Sequence, residues 1–107
     1  MMNVSPEATA ALSDWLDAHT AGGPPALIAR VREHAMAAPE GETLPERLSF
    51  AAERVLSIVE EHPGDREIAL DLLSADALIT LALLAQAELA PASLARFAAE
   101  VLAGERV

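Results

Sequence analysis

From Ile68 to Ala90 the chain reads IALDLLSADALITLALLAQAELA, a run without a polar side. Wound at 3.6 residues per turn, its polar members Asp71, Ser74, Asp76, Thr80, Gln86 and Glu88 scatter around the whole circumference. A helix at a protein surface gathers such residues on one face, whereas a helix apolar all round is wrapped by other helices. The pattern therefore predicts a long helix from Arg66 to about Leu89, ~36 Å at 1.5 Å per residue. Asp65 is placed to cap it, and Ala90-Pro91 to end it.

Four amphipathic segments flank this run. The first opens at Ser5-Pro6-Glu7, a cap residue, a first-turn proline and an acidic first turn. Its apolar stripe is Ala8, Ala11, Leu12, Trp15 and Leu16, and Ala21-Gly22-Gly23-Pro24-Pro25 breaks it near His19 or Thr20. The second spans about Pro25 to Ala37, with Leu27, Ile28, Val31 and Ala35 inward and Arg30, Arg32 and Glu33 outward. Thr43-Leu44-Pro45-Glu46 has capping-box spacing and starts a third helix to about Glu61. Leu48, Ala51, Ala52, Val55, Leu56 and Val59 form its inner face, with Glu46, Glu53 and Glu60 opposite, until His62-Pro63-Gly64 stops it. A fifth helix, about Pro91 to Ala103, carries Leu94, Phe97, Ala98, Val101 and Leu102, with Gly104 as its stop.

The expectation is an all-α fold, a compact array of about five helices around a long apolar fourth, in a single helical domain covering residues 1–107. The short loops suit antiparallel neighbours. The second helix, ~20 Å long, is too short to shield the whole fourth helix. An apolar strip left open is the usual mark of an interface, and two-fold dimers are the commonest closed assembly. A homo-oligomer, in the simplest case a dimer, is therefore expected. Leu78, Leu81, Leu84, Leu89 and Phe97 are its candidate anchors. On this reading a charge at Leu81 disrupts assembly.

Composition narrows the classes. Alanine and leucine dominate the 52% apolar content, and there is no tyrosine and only one tryptophan. Acidic residues number 17 against 7 basic ones, a formal charge of −10. Such a field repels phosphates, so no nucleic-acid partner is expected. The row Glu46, Glu53, Glu60 would suit an acidic mimic of nucleic acid, but a glutamate row is first the wet face of a helix. With no cysteine there is neither a disulfide nor a thiolate site. The segment MMNVSPEATAAL lacks the pattern of a secretory leader. A cytoplasmic protein is expected. No membrane partner is expected either: the longest uncharged run, Ala77 to Ala87, is about half of the ~20 residues a span needs, and Asp71, Asp76 and Glu88 interrupt the rest.

Candidate chemistry is sparse. Asp71 and Asp76 are costly on an apolar helix unless paired or solvated. They lie ~140° apart around it, so they do not share a site. The plain expectation is that each reaches solvent or pairs with an arginine such as Arg54 or Arg96. Asp76 with Thr80, one turn on, is the candidate pair of polar contacts for a small-molecule pocket, the alternative function. His19, His34 and His62 all fall near helix C-termini, where the helix dipole favours a protonated imidazole. That accounts for them without a metal, and no metal or cofactor is expected. Asp17-x-His19 and Glu60-Glu61-His62 offer two ligands each, without the HExxH or Glu-x-x-His spacing of known metal helices. No nucleophile elbow or phosphate-binding glycine loop is present, so no catalytic residue is assigned. Asp76-Ala77-Leu78 resembles the Asp-Ser-Leu of acyl carrier proteins, but Ala77 stands where their serine carries the prosthetic arm. LLSADALITLALLA resembles a helix of polyprenyl synthases, whose aspartate-rich metal motifs this chain lacks.

Overall fold

The computed structural model describes residues 6–39, 43–62, 64 and 66–103; for residues 6–8 and 66 only the backbone is described. Five helices follow in order: α1 (Pro6–Thr20), α2 (Pro25–Ala37), α3 (Leu44–Glu61), α4 (Arg66–Leu89) and α5 (Leu94–Ala103). There is no strand among the described residues. The caps expected at Ser5 and Asp65 and the stop at Gly104 lie outside the described residues, as does the side chain of Ala8.

The visible helix ends follow local chemistry. Gly22 takes φ +89°, a conformation that lets the chain leave α1, and the Gly23 amide closes the turn on the Thr20 carbonyl at 3.1 Å. Thr43 is the N-cap of α3 and accepts from the Glu46 amide at 3.3 Å. Gly64, at φ +90°, turns the chain between α3 and α4. One detail differs from the expectation: the fifth helix begins with a 3-10 turn, Pro91–Ser93, in which the Ser93 amide donates to the Ala90 carbonyl three residues back at 3.0 Å.

Helices α3 and α4 form the main hairpin, and α2 packs across both. The core runs through all five helices, with Leu12 and Leu16 from α1, Val31 and Ala35 from α2, and Leu48, Ala52 and Val55 from α3. Ala75, Leu78, Leu81, Ala82 and Ala85 of α4 meet them, and Phe97 of α5 closes the far end. The small residues let helices approach closely, while the leucines fill the spaces between.

The end of α2 is tied down by α3. Arg54 Nη1 donates to the Ala37 carbonyl at 2.9 Å, and the buried Arg47 approaches the Met36 carbonyl at 3.5 Å. Both satisfy carbonyls that a helix end leaves without partners, and a cation there suits the dipole. Arg54 is thereby engaged with α2 and does not pair with an aspartate of α4.

By length and composition Glu67–Leu89 is able to cross a membrane, with mean hydropathy 2.0. In the fold this helix carries Asp71, Ser74 and Gln86 buried against its neighbours. It is wrapped on one side only. The residues turned inward are Asp71, Ser74, Ala75, Leu78, Leu81, Ala82, Ala85 and Gln86, and those turned to solvent include Ala69, Leu72, Leu73, Asp76, Thr80, Leu84 and Glu88.

Candidate functional site

The open side of α4 is built from leucine. Leu72 is 50% exposed, Leu73 55% and Leu84 40%, while Leu89, 60% exposed, continues the inward stripe of Ala85 and Gln86 past the point where other helices cover it. With Leu102 of α5 these are the large apolar side chains left exposed among the described residues, and α1, α2 and α3 contribute none. Leu70, Leu73, Ala77, Thr80, Leu84 and Ala87 follow one another at alternating three- and four-residue steps, and none of them is buried. That is the spacing of a coiled-coil seam, here over ~27 Å of helix. Three leucines and three smaller residues share it, so a second helix has both knobs to meet and room to approach.

Of the five candidate anchors, Leu84 and Leu89 lie on the surface of the single chain. Leu78, Leu81 and Phe97 lie in its own core. A charge at Leu81 is therefore a test of folding first, and Leu73 and Leu84 are the positions at which assembly can be probed separately. The seam was present in the sequence as a heptad pattern. What hid it was the second apolar arc of the same helix, through Leu78 and Leu81.

Asp76 and Thr80 are both exposed. The Thr80 hydroxyl donates to the Asp76 carbonyl of its own helix at 3.2 Å. Neither residue lines the described cavities, which are walled by α1, α2 and, from α4, by Leu81 and the seam-edge Ala77, or lie beside α3 around Phe50 and Arg54.

Asp71 behaves differently. Its side chain is 11% exposed, and Oδ1 lies 3.0 Å from His34 Nε2 and 3.2 Å from Arg30 Nε. The Arg30 contact is an ion pair without hydrogen-bond alignment. Arg30 thus turns inward to α4, not outward as its place on the helical wheel suggests. It also reaches Glu33 at 3.8 Å and Glu67 at 4.0 Å. Arg32 likewise turns to α1, where it donates to Ser13 Oγ and pairs with Asp17. The expectation that Asp71 is paired holds, with Arg30 and His34 of α2 as the partners.

At the other end of α4, Glu88 gathers two residues of α1. Trp15 Nε1 donates to Glu88 Oε1 at 3.0 Å, and His19 Nε2 lies 2.8 Å from Oε2. The imidazole stacks on the indole with centroids 3.9 Å apart. The hydrogen bond to Glu88, then that to the Trp15 carbonyl, hold the His19 pKa above its ordinary value against the opposing effect of burial. Glu88 is held below the usual carboxylate value by its bonds to Trp15 and His19. The dipole argument had found the place of His19 but not its carboxylate.

Among the described residues no group of three or more histidine or carboxylate side chains is placed to hold a metal ion. Compared with protein-family models, with curated proteins and with solved structures, the chain matches none.

Proposed function

We propose that this is a cytoplasmic helical protein that acts by protein–protein interaction, associating with a second copy of itself through the open face of α4. The carrying observation is the seam Leu70, Leu73, Ala77, Thr80, Leu84 and Ala87 on the long apolar helix α4, in which Leu73, Thr80 and Leu84 are exposed and the other three half-buried. Leaving such a strip in water forgoes about 25 cal/mol for each Å2 of apolar surface that a partner would cover. A seam of leucines and small residues is complementary to itself, which is what a two-fold interface requires. Asp76 sits at one edge of the seam and Glu88 at the other, so charges flank the apolar contact without entering it.

The test is absolute mass by light scattering over a hundredfold dilution, for the wild type and for Leu73→Glu combined with Leu84→Glu. Both leucines are exposed in the single chain, so the double variant keeps its helix content. The wild type is expected at twice the 11.2 kDa chain mass and the variant at the single-chain mass. A wild type that is monomeric throughout, or a variant that remains dimeric, refutes the proposal.

A further inference from the structure

We infer that Trp15, His19 and Glu88 form a proton-operated latch that fastens the turn between α1 and α2 against α4, over an apolar cavity. The inference rests on what the two ring nitrogens of His19 face. Nδ1 lies 2.8 Å from the Trp15 carbonyl oxygen, and Nε2 lies 2.8 Å from Glu88 Oε2. A carbonyl only accepts, and so does an ionised carboxylate. Both nitrogens must carry a proton for both bonds to exist, so the closed latch holds an imidazolium. In either neutral tautomer one ring lone pair confronts an oxygen lone pair at the same distance. Loss of one proton to water therefore breaks one of the two bonds. The stack of His19 on Trp15 favours the charged ring further, as a cation over an indole face.

Few other charges bear on this site. Glu88 is the charged group that α4 presents to His19. On α1, Asp17 is engaged with Arg32, and Asp14 is exposed. The cavity beside His19, about 230 Å3, is walled by Leu27, Ile28 and Val31 of α2 and by Ala77 and Leu81 of α4, none of them ionisable. The turn residues that roof it, Ala21, Gly23 and Pro24, are uncharged as well. The turn has a hinge in Gly22, whose φ of +89° other residues rarely adopt. Once the imidazolium is gone, His19 keeps either its bond to Glu88, without the charge, or its bond to Trp15, but not both. The hold on this end of α1 weakens while Leu16 stays anchored in the core, and the turn beyond it lifts from the cavity more often.

The protein has a single tryptophan, so its emission reads the latch directly. A stacked imidazolium quenches indole fluorescence more strongly than a neutral imidazole does. Emission is recorded from pH 5.5 to 9, with His19 followed by its ring proton shift and the Gly23 amide by hydrogen exchange corrected for intrinsic rate. The latch predicts brightening with a midpoint above 6.5, the ordinary histidine value. Glu88→Gln moves that midpoint down, and Glu60→Gln, remote on α3, leaves it in place. Protection of the Gly23 amide falls at least about threefold through the same midpoint, while far-ultraviolet circular dichroism stays constant. A midpoint at or below 6.5, a midpoint unmoved by Glu88→Gln, protection independent of pH, or loss of helix at the same midpoint would each overturn the inference.

Discussion

Replacing Asp71 by alanine removes the carboxylate from between two cationic or proton-donating groups of α2. Arg30 has a side chain 24% exposed, and His34 is more buried still. Breaking a buried pair from one side costs about 3–5 kcal/mol, because the other charge stays behind without compensation. Here the cost is reduced, since Arg30 keeps Glu33 at 3.8 Å and Glu67 at 4.0 Å. A loss of about 2–3 kcal/mol is expected for Asp71→Ala. Asp71→Asn keeps an acceptor for His34 and gives up only the charge, so about 1 kcal/mol is expected. The assay is urea unfolding followed by circular dichroism, with free energies from linear extrapolation. A double-mutant cycle with Arg30→Ala isolates the pair, and a coupling of about 1 kcal/mol or more is expected. Asp71→Ala within about 0.5 kcal/mol of wild type, the range of ordinary surface substitutions, would refute the claim that this cluster ties α2 to α4.

Leu78→Ala, which empties a fully buried site where α4 meets the core, is expected to cost about 3–5 kcal/mol in the same assay. Thr43→Ala removes the acceptor for the Glu46 amide at the start of α3 and is expected to cost about 1 kcal/mol. The His19–Glu88 pair also has a pH signature. The folded pKa of His19 is raised, so its stabilising effect is complete below 6.5 and is lost as pH rises through the folded value. The folded pKa of Glu88 is lowered, so its effect is complete above 4.5 and is lost as pH falls through the folded value. The stability difference between wild type and His19→Ala is therefore expected to be largest between about pH 4.5 and 6.5 and smaller at pH 9, measured by urea unfolding at each pH. A difference that grows toward pH 9 would contradict the pairing.

The parts of this fold legible in the sequence are those decided locally. Gly22-Gly23, Thr43 and the His62 to Gly64 stop each act through their own backbone or a residue three positions away. The helix limits read from them agree with the structure. The 3-10 turn at Pro91 was missed because a proline opens an α-helix and a 3-10 turn equally well. The pairings were illegible for a different reason. His34 and Asp71 are 37 residues apart, and His19 and Glu88 are 69. A helical wheel places a residue relative to its own stripe and cannot say which neighbour the next face meets. Arg30 turned inward for that reason. The same limit explains the anchors. Helix α4 has two apolar arcs, one through Leu78 and Leu81 and one through Leu73 and Leu84. Hydrophobicity marks both as sites to be covered. Only the packing of α2 and α3 decides that the first is covered within the chain.

The central claim is that the second arc is covered by another copy of the same chain. Isotope-filtered nuclear Overhauser spectroscopy on an equal mixture of carbon-13-labelled and unlabelled protein tests it directly, because only contacts between chains survive the filter. The account predicts filtered contacts from the methyl groups of Leu73 and Leu84 and none from Leu78. Filtered contacts absent from the α4 seam, or found only on another helix, would contradict it.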